Sequence, residues 1–152
     1  MERERVNKPM IDEREKYERP GQALREENAS TLEEFSSWLR AKGLSDTTVK
    51  RHRGSIDFYI NEFLLSEDAT PPAKGVDEVG LFLGYWFIQK AMWASQSSMR
   101  SYAASLKKFY QFMVERGSVD QKALDELNAR VKEDMPEWLE TLRRYDDPSN
   151  KD

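Results

Sequence analysis

Apolar side chains recur every three or four positions along most of the chain, the spacing of one face of an α-helix. Leu32, Phe35 and Leu39, with Trp38 beside them, predict a first helix over 31–42. Ser30 with Glu33 and Thr31 with Glu34 each fit the Ser/Thr-x-x-Glu capping box at its start. Gly43 suits the left-handed position after the helix, and Leu44 supplies the apolar contact that usually follows. Ser45 is the next cap. Val49, His52, Ile56, Tyr59, Ile60 and Phe63 make the stripe of a second helix, 46–65, with Lys50, Arg53, Asp57 and Asn61 on its other side. Pro71-Pro72 marks 68–75 as a loop.

Asp77 caps a predicted third helix, 78–92, which is apolar nearly all round and so belongs in the middle of a bundle, with Trp86 and Phe87 buried. Gly80 and Gly84, four apart, leave room there for a neighbouring helix. A fourth helix, 97–116, starts at Ser95 or Ser97. It turns Met99, Tyr102, Ala103, Leu106, Phe109, Tyr110 and Met113 inward and ends at Gly117. Asp120 caps a fifth helix with Leu124, Leu127 and Val131. Pro136 suits the first turn of a sixth, with Trp138, Leu139 and Leu142 inward. No stretch alternates as a strand does. The expected class is an all-α bundle of five or six helices, with short connections that make neighbours antiparallel. Residues 1–29, charged and broken by Pro20-Gly21, are expected to be a flexible arm with transient helix around Asp12–Arg19, 30–145 the folded domain, and 146–152 a disordered tail.

Composition narrows the chemistry. A chain of 152 residues suits one domain. It has no cysteine and one histidine, so disulfides, thiolate metal sites, cysteine nucleophiles and a Ser-His-Asp triad have little to build on. No apolar run is long enough for a membrane helix, and Met1-Glu2-Arg3-Glu4-Arg5 is not followed by a signal-peptide core. A cytoplasmic protein is expected, with no metal, no cofactor and no membrane partner. His52, on the apolar stripe of the second helix, reads as a semi-buried imidazole with one hydrogen-bond partner. Asp125, Glu126, Glu133, Asp134, Glu137 and Glu140 alternate with Arg130, Lys132, Arg143 and Arg144, as on a solvated, salt-bridged surface. The glycines form no phosphate-binding loop.

Net charge is −4, which argues against a nucleic-acid binder until its distribution is considered. Residues 96–118 hold Arg100, Lys107, Lys108 and Arg116 against Glu115 alone, and the acid gathers at the C-terminal end. Local field governs docking more than total charge does. Two segments that open helices combine hydroxyls with cations. One is Ser45 to Arg53, offering Thr47, Thr48, Lys50, Arg51 and Arg53. The other is Ser95 to Ser101, offering Ser97, Arg100 and Ser101, with Lys107 and Lys108 further along the same helix. Helix starts and nearby cations suit phosphate, and an ordinary capped helix with a solvated face has the same composition.

These segments and their order resemble the N-terminal core-binding domain of tyrosine recombinases, the phage-integrase family, over residues 30–120. The resemblance lies in Thr31 to Leu39, in Gly43-Leu44-Ser45-Asp46-Thr47-Thr48-Val49, in the apolar Val79 to Ile88, and in Ser97-Ser98-Met99 with Leu106, Phe109, Tyr110 and Phe112 before Gly117. His52 stands where that family usually has an aromatic residue. The resemblance implies a SAM-like bundle that grips duplex DNA during recombination or integration and associates with the nucleoid when bound. Asp120-Gln121-Lys122 replaces the family's Asn-Pro continuation. The catalytic Arg, His-x-x-Arg and nucleophilic Tyr have no counterpart, and Tyr145 lacks their context. The expectation is therefore DNA binding without cleavage, with no catalytic residue, by a fragment of a recombinase or a partner to its catalytic subunit. The alternative is a non-catalytic helical adaptor that has lost DNA affinity and binds another protein.

Overall fold

The computed structural model describes the backbone of residues 13–146 and the side chains of residues 21–146. Five helices, and no strand, occupy the described residues. They are α1 (Glu13–Ala41), α2 (Asp46–Asp57, running on as a π-helical turn Phe58–Phe63), α3 (75–90), α4 (Gln96–Glu115) and α5 (Gln121–Asp146). The all-α bundle expected from the apolar spacing is what forms.

Three boundaries differ from expectation. α1 begins at Glu13 and continues through Pro20, Gly21 and the Ser30–Thr31 pair, so 13–29, expected as an arm, is helical. Its anchor is polar. Asn28 is buried and donates from Nδ2 to Asn61 Oδ1 (2.9 Å) and to the Ile60 carbonyl (3.4 Å). Thr31 and Ser36 lie inside the helix and are also buried, so neither Ser/Thr-x-x-Glu box is used as a cap. The remainder of the expected arm, 1–12, and of the expected tail, 147–152, falls outside the described residues, while Asp146 is still helical.

The expected fifth and sixth helices are one, α5, with Pro136 inside it. Proline there removes one intrahelical hydrogen bond and crowds the Lys132 carbonyl. Leu124, Leu127 and Val131 before the proline and Trp138, Leu139 and Leu142 after it are nonetheless buried, with partly buried Met135 between, so packing along both halves holds the helix through the proline. Asp120 caps it as expected, its carboxylate accepting the Ala123 N–H at 2.9 Å.

α3 is not a regular helix. It is a 3₁₀ turn Gly75–Glu78, an α turn Val79–Leu81, a π turn Phe82–Trp86 and an α turn Phe87–Lys90. Lys74, not Asp77, precedes it. Both π turns carry the longer i to i+5 bond: the Leu64 N–H donates to the Tyr59 carbonyl and the Phe87 N–H to the Phe82 carbonyl. The two π turns meet across the core. Phe82 lies 4.8 Å from Tyr59 and 5.1 Å from Phe63, centroid to centroid. Val79, Phe82, Leu83 and Phe87 are fully buried. Trp86 is only half-buried and Leu81 and Tyr85 are exposed, so α3 has an outer face that its composition hides.

The turn before α3 is held by two buried phenols. Tyr59 donates to the Gly75 carbonyl at 2.6 Å and Tyr110 to the Pro72 carbonyl at 2.8 Å. Further along α4, its C-terminal end is clasped by α1. Trp38 donates to Glu115 at 2.9 Å, Lys42 lies over the Trp38 ring, and Arg116 meets Glu34 at 3.2 Å.

Gly84 lets α5 approach α3, as the glycine pair predicts: a Cβ there would lie 2.6 Å from Trp138 Nε1. Gly84→Ala should therefore cost about 1–3 kcal/mol by overpacking. Gly54 meets open space on the exposed side of α2, so Gly54→Ala should gain about 0.5–1 kcal/mol of helix propensity. Urea midpoints at neutral pH separate the two, and an unchanged or raised midpoint for Gly84→Ala would show that Gly84 is not held by contact with Trp138.

Candidate nucleic-acid interface on α2 and α4

The two helices proposed from sequence come together. Arg51 of α2 donates from Nη1 to Ser101 Oγ of α4 at 3.0 Å, and His52 Nδ1 shares a 2.7 Å hydrogen bond with Ser105 Oγ. Each helix starts on a capping serine. The Thr48 N–H donates to Ser45 Oγ at 3.3 Å. Ser95 and Ser98 form a reciprocal box, with 3.0 and 2.8 Å bonds. These serines already take the N–H groups of Thr48 and Ser98, so side chains must supply most of any phosphate grip.

The ten candidate residues divide. Thr47, Lys50, Arg51, Ser97, Arg100 and Lys107 are exposed, and Thr48, Ser101 and Lys108 are half-buried on the same two helices. Among the described residues no carboxylate lies within 4.0 Å of Lys50, Arg51, Arg100, Lys107 or Lys108. Arg53 differs. It turns to α1, donating to Ser36 at 3.1 Å and pairing with Glu33 at 3.2 Å, so it ties α2 to α1.

On its other flank α4 borders a groove of about 1010 Å³ shared with α5. Arg100, Lys107, Lys108 and Gln111 form one wall; Gln121, Asn128 and Lys132 form the other. Ala103, Leu124, Val131 and Met135 lie beneath, with Glu115 the one acid in the lining. Sequence reasoning missed this wall because α5 is acidic as a whole. The signal was available: Gln121, Asn128 and Lys132 recur on one helical side, where Asp125 alone of the six acids grouped late in the chain joins them.

His52 is a core histidine, as its place on the stripe predicts. Burial, then the charges of Arg51 and Lys108, lower its pKa from the ordinary 6.5 to about 4. The late acidic cluster is a salt-bridged surface where Glu140 meets Arg143 and Arg144. Chiefly the Arg143 hydrogen bond lowers the Glu140 carboxyl to about 2. Among the described residues no three acidic or histidine side chains gather into a metal-holding group, and no helix is long and apolar enough to cross a membrane.

Comparison with protein-family models, with curated proteins and with solved structures finds no match to this chain.

The His52 shift has a definite sign. Between pH 6.5 and about 4 the unfolded chain holds a proton on His52 that the folded chain does not, so stability falls as pH falls through that window. Urea midpoints at pH 7, 5.5 and 4.5 should show the decline, and His52→Gln should flatten the part of it above the range where carboxylates titrate. An equal decline in both proteins would assign the acid sensitivity elsewhere.

Proposed function

We propose that this chain grips the sugar-phosphate backbone of duplex DNA through α2 and α4 and does not cut it, acting as the DNA-holding part of a recombination or integration reaction. The observation that carries this reading is the gathering of five cations without acidic partners among the described residues, Lys50, Arg51, Arg100, Lys107 and Lys108, on two helices joined by the Arg51–Ser101 bond; Arg25, Lys74, Lys90, Lys122 and Arg130 also lack one but lie outside those two helices. Other cations, such as Arg40, Lys42, Arg53, Arg116, Arg143 and Arg144, are engaged by carboxylates. Unpaired cations release counterions on meeting phosphate at no cost in broken ion pairs, which favours them as contacts. Lys132 and the carboxamides of Gln111 and Asn128 extend the same surface across the α4–α5 groove, where the Gln121 amide is bonded to Asp125. The resemblance in Gly43 to Val49 and in α4 supports the same use of the bundle.

A second reading, a protein-interaction module, draws on the exposed apolar side chains of α3 and the turn after it.

Fluorescence anisotropy with a labelled duplex tests the first reading. Neutralising about three to five phosphates gives a slope of roughly −3 to −4 for log affinity against log salt, with affinity on the order of micromolar at physiological salt. Arg100→Ala and Lys107→Ala should each weaken binding on every sequence and flatten the slope by about one unit. Arg53→Ala should lower the urea midpoint and leave the slope unchanged, since its charge is spent on Glu33. The same preparation should neither nick nor relax supercoiled plasmid. Absence of binding at about 50 mM salt, or equal effects of Arg100→Ala and Glu137→Ala, would move the assignment to the second reading.

A further inference from the structure

The large apolar side chains that reach solvent are concentrated on α3 and the turn after it. Leu81 is 54% exposed, Tyr85 59%, Met92 98% and Trp93 51%, and among the described residues only Tyr145 joins them. Phe82 and Phe87 pack on Tyr102 of α4, so Leu81 and Tyr85 face away from α4 and its cations. Half-buried Trp86 and Phe58 connect the exposed residues, with ring centroids 5.6 Å apart for Trp86–Phe58 and 5.1 Å for Phe58–Trp93. A continuous apolar surface of this kind on a folded domain marks an interaction site.

A cleft beside this surface specifies the partner's chemistry. It measures about 310 Å³, between α3 and the 64–70 loop, with Leu81, Tyr85 and Trp86 on one wall. Glu67, Asp68 and Glu78 line it, no cation does, and none of the three carboxylates has an ion-pair partner among the described residues. An apolar wall with aromatic rings beside uncompensated carboxylates complements a segment that presents leucine-like side chains next to arginine. The guanidinium would reach the carboxylates and stack on the rings, and the aliphatic side chains would cover Leu81 and Tyr85. DNA does not suit the cleft, since phosphate would face three carboxylates.

We infer that the cleft between α3 and the 64–70 loop is a docking site for an arginine-bearing amphipathic segment of a partner protein, on the side of α3 away from the cation face of α4.

The test titrates the full chain with a synthetic amphipathic peptide carrying arginine on one side and leucine on the other, followed by amide chemical shifts. Two control peptides replace arginine by glutamate or leucine by serine. Shifts should cluster at 64–70 and 78–86, and each control should bind at least about tenfold more weakly. Glu67→Lys combined with Asp68→Lys, and separately Tyr85→Ala, should each weaken the arginine-leucine peptide by about tenfold. All three residues are exposed, so the urea midpoint and the salt dependence of DNA binding should stay as they are. Lack of binding, equal binding of the glutamate peptide, or shifts centred on α4 would overturn the inference. So would a dimer in sedimentation that Tyr85→Ala dissociates, which would give the surface to a second copy of the chain.

Discussion

Phe82 is the side chain on which the rest of the bundle is assembled. Its ring touches Phe58, Tyr59 and Phe63 of α2, Trp86 and Phe87 of its own helix, and Tyr102 of α4. Where these rings meet, α2 and α3 each widen into a π turn. A wider turn rotates the side chains that follow it relative to a regular α-helix. That rotation accompanies the division of α3 into a buried face with Leu83 and Phe87 and an open one with Tyr85. The interior aromatic cluster and the exterior apolar surface are thus two sides of one backbone adjustment.

Helix positions are legible in the sequence wherever burial is apolar. The stripes of α2 and α4, the cap at Ser95 and the turns at Gly43 and Gly117, both at positive φ, follow from spacing alone. The start of α1 is not legible that way, because Asn28, Thr31 and Ser36 are buried through hydrogen bonds that hydrophobic periodicity does not register. Pro136 misleads for a related reason. A local rule ends the helix there, and the longer stripe from Leu124 to Leu142 overrides it. The openness of α3 escapes prediction because a count of apolar residues says nothing about how many neighbours are available to cover them.

The candidate interface was legible in its residue types and only partly in its geometry. Spacing puts Arg51, Arg100, Lys107 and Lys108 on outward faces, and the structure joins their helices through Ser101. Spacing cannot say which cation is already occupied. Arg53 lies two residues from Arg51 in the same basic run, yet it reaches back to Glu33 and Ser36 and serves the contact between α1 and α2. Net charge is a poor guide here, since the distinction lies in whether each cation has a carboxylate within reach.

The paired phenols at the start of α3 set a limit at the alkaline end. Tyr59 and Tyr110 each spend their only proton on a carbonyl of the 72–75 turn, and burial raises the pKa of both well above the ordinary 10. The unfolded chain gives up those protons near pH 10 while the folded chain keeps them, so stability falls as pH rises from there. Two such groups make the decline about 2–3 kcal/mol per pH unit. Because the same two protons fix the turn that launches α3, tyrosinate absorbance at high pH doubles as a gauge of global unfolding.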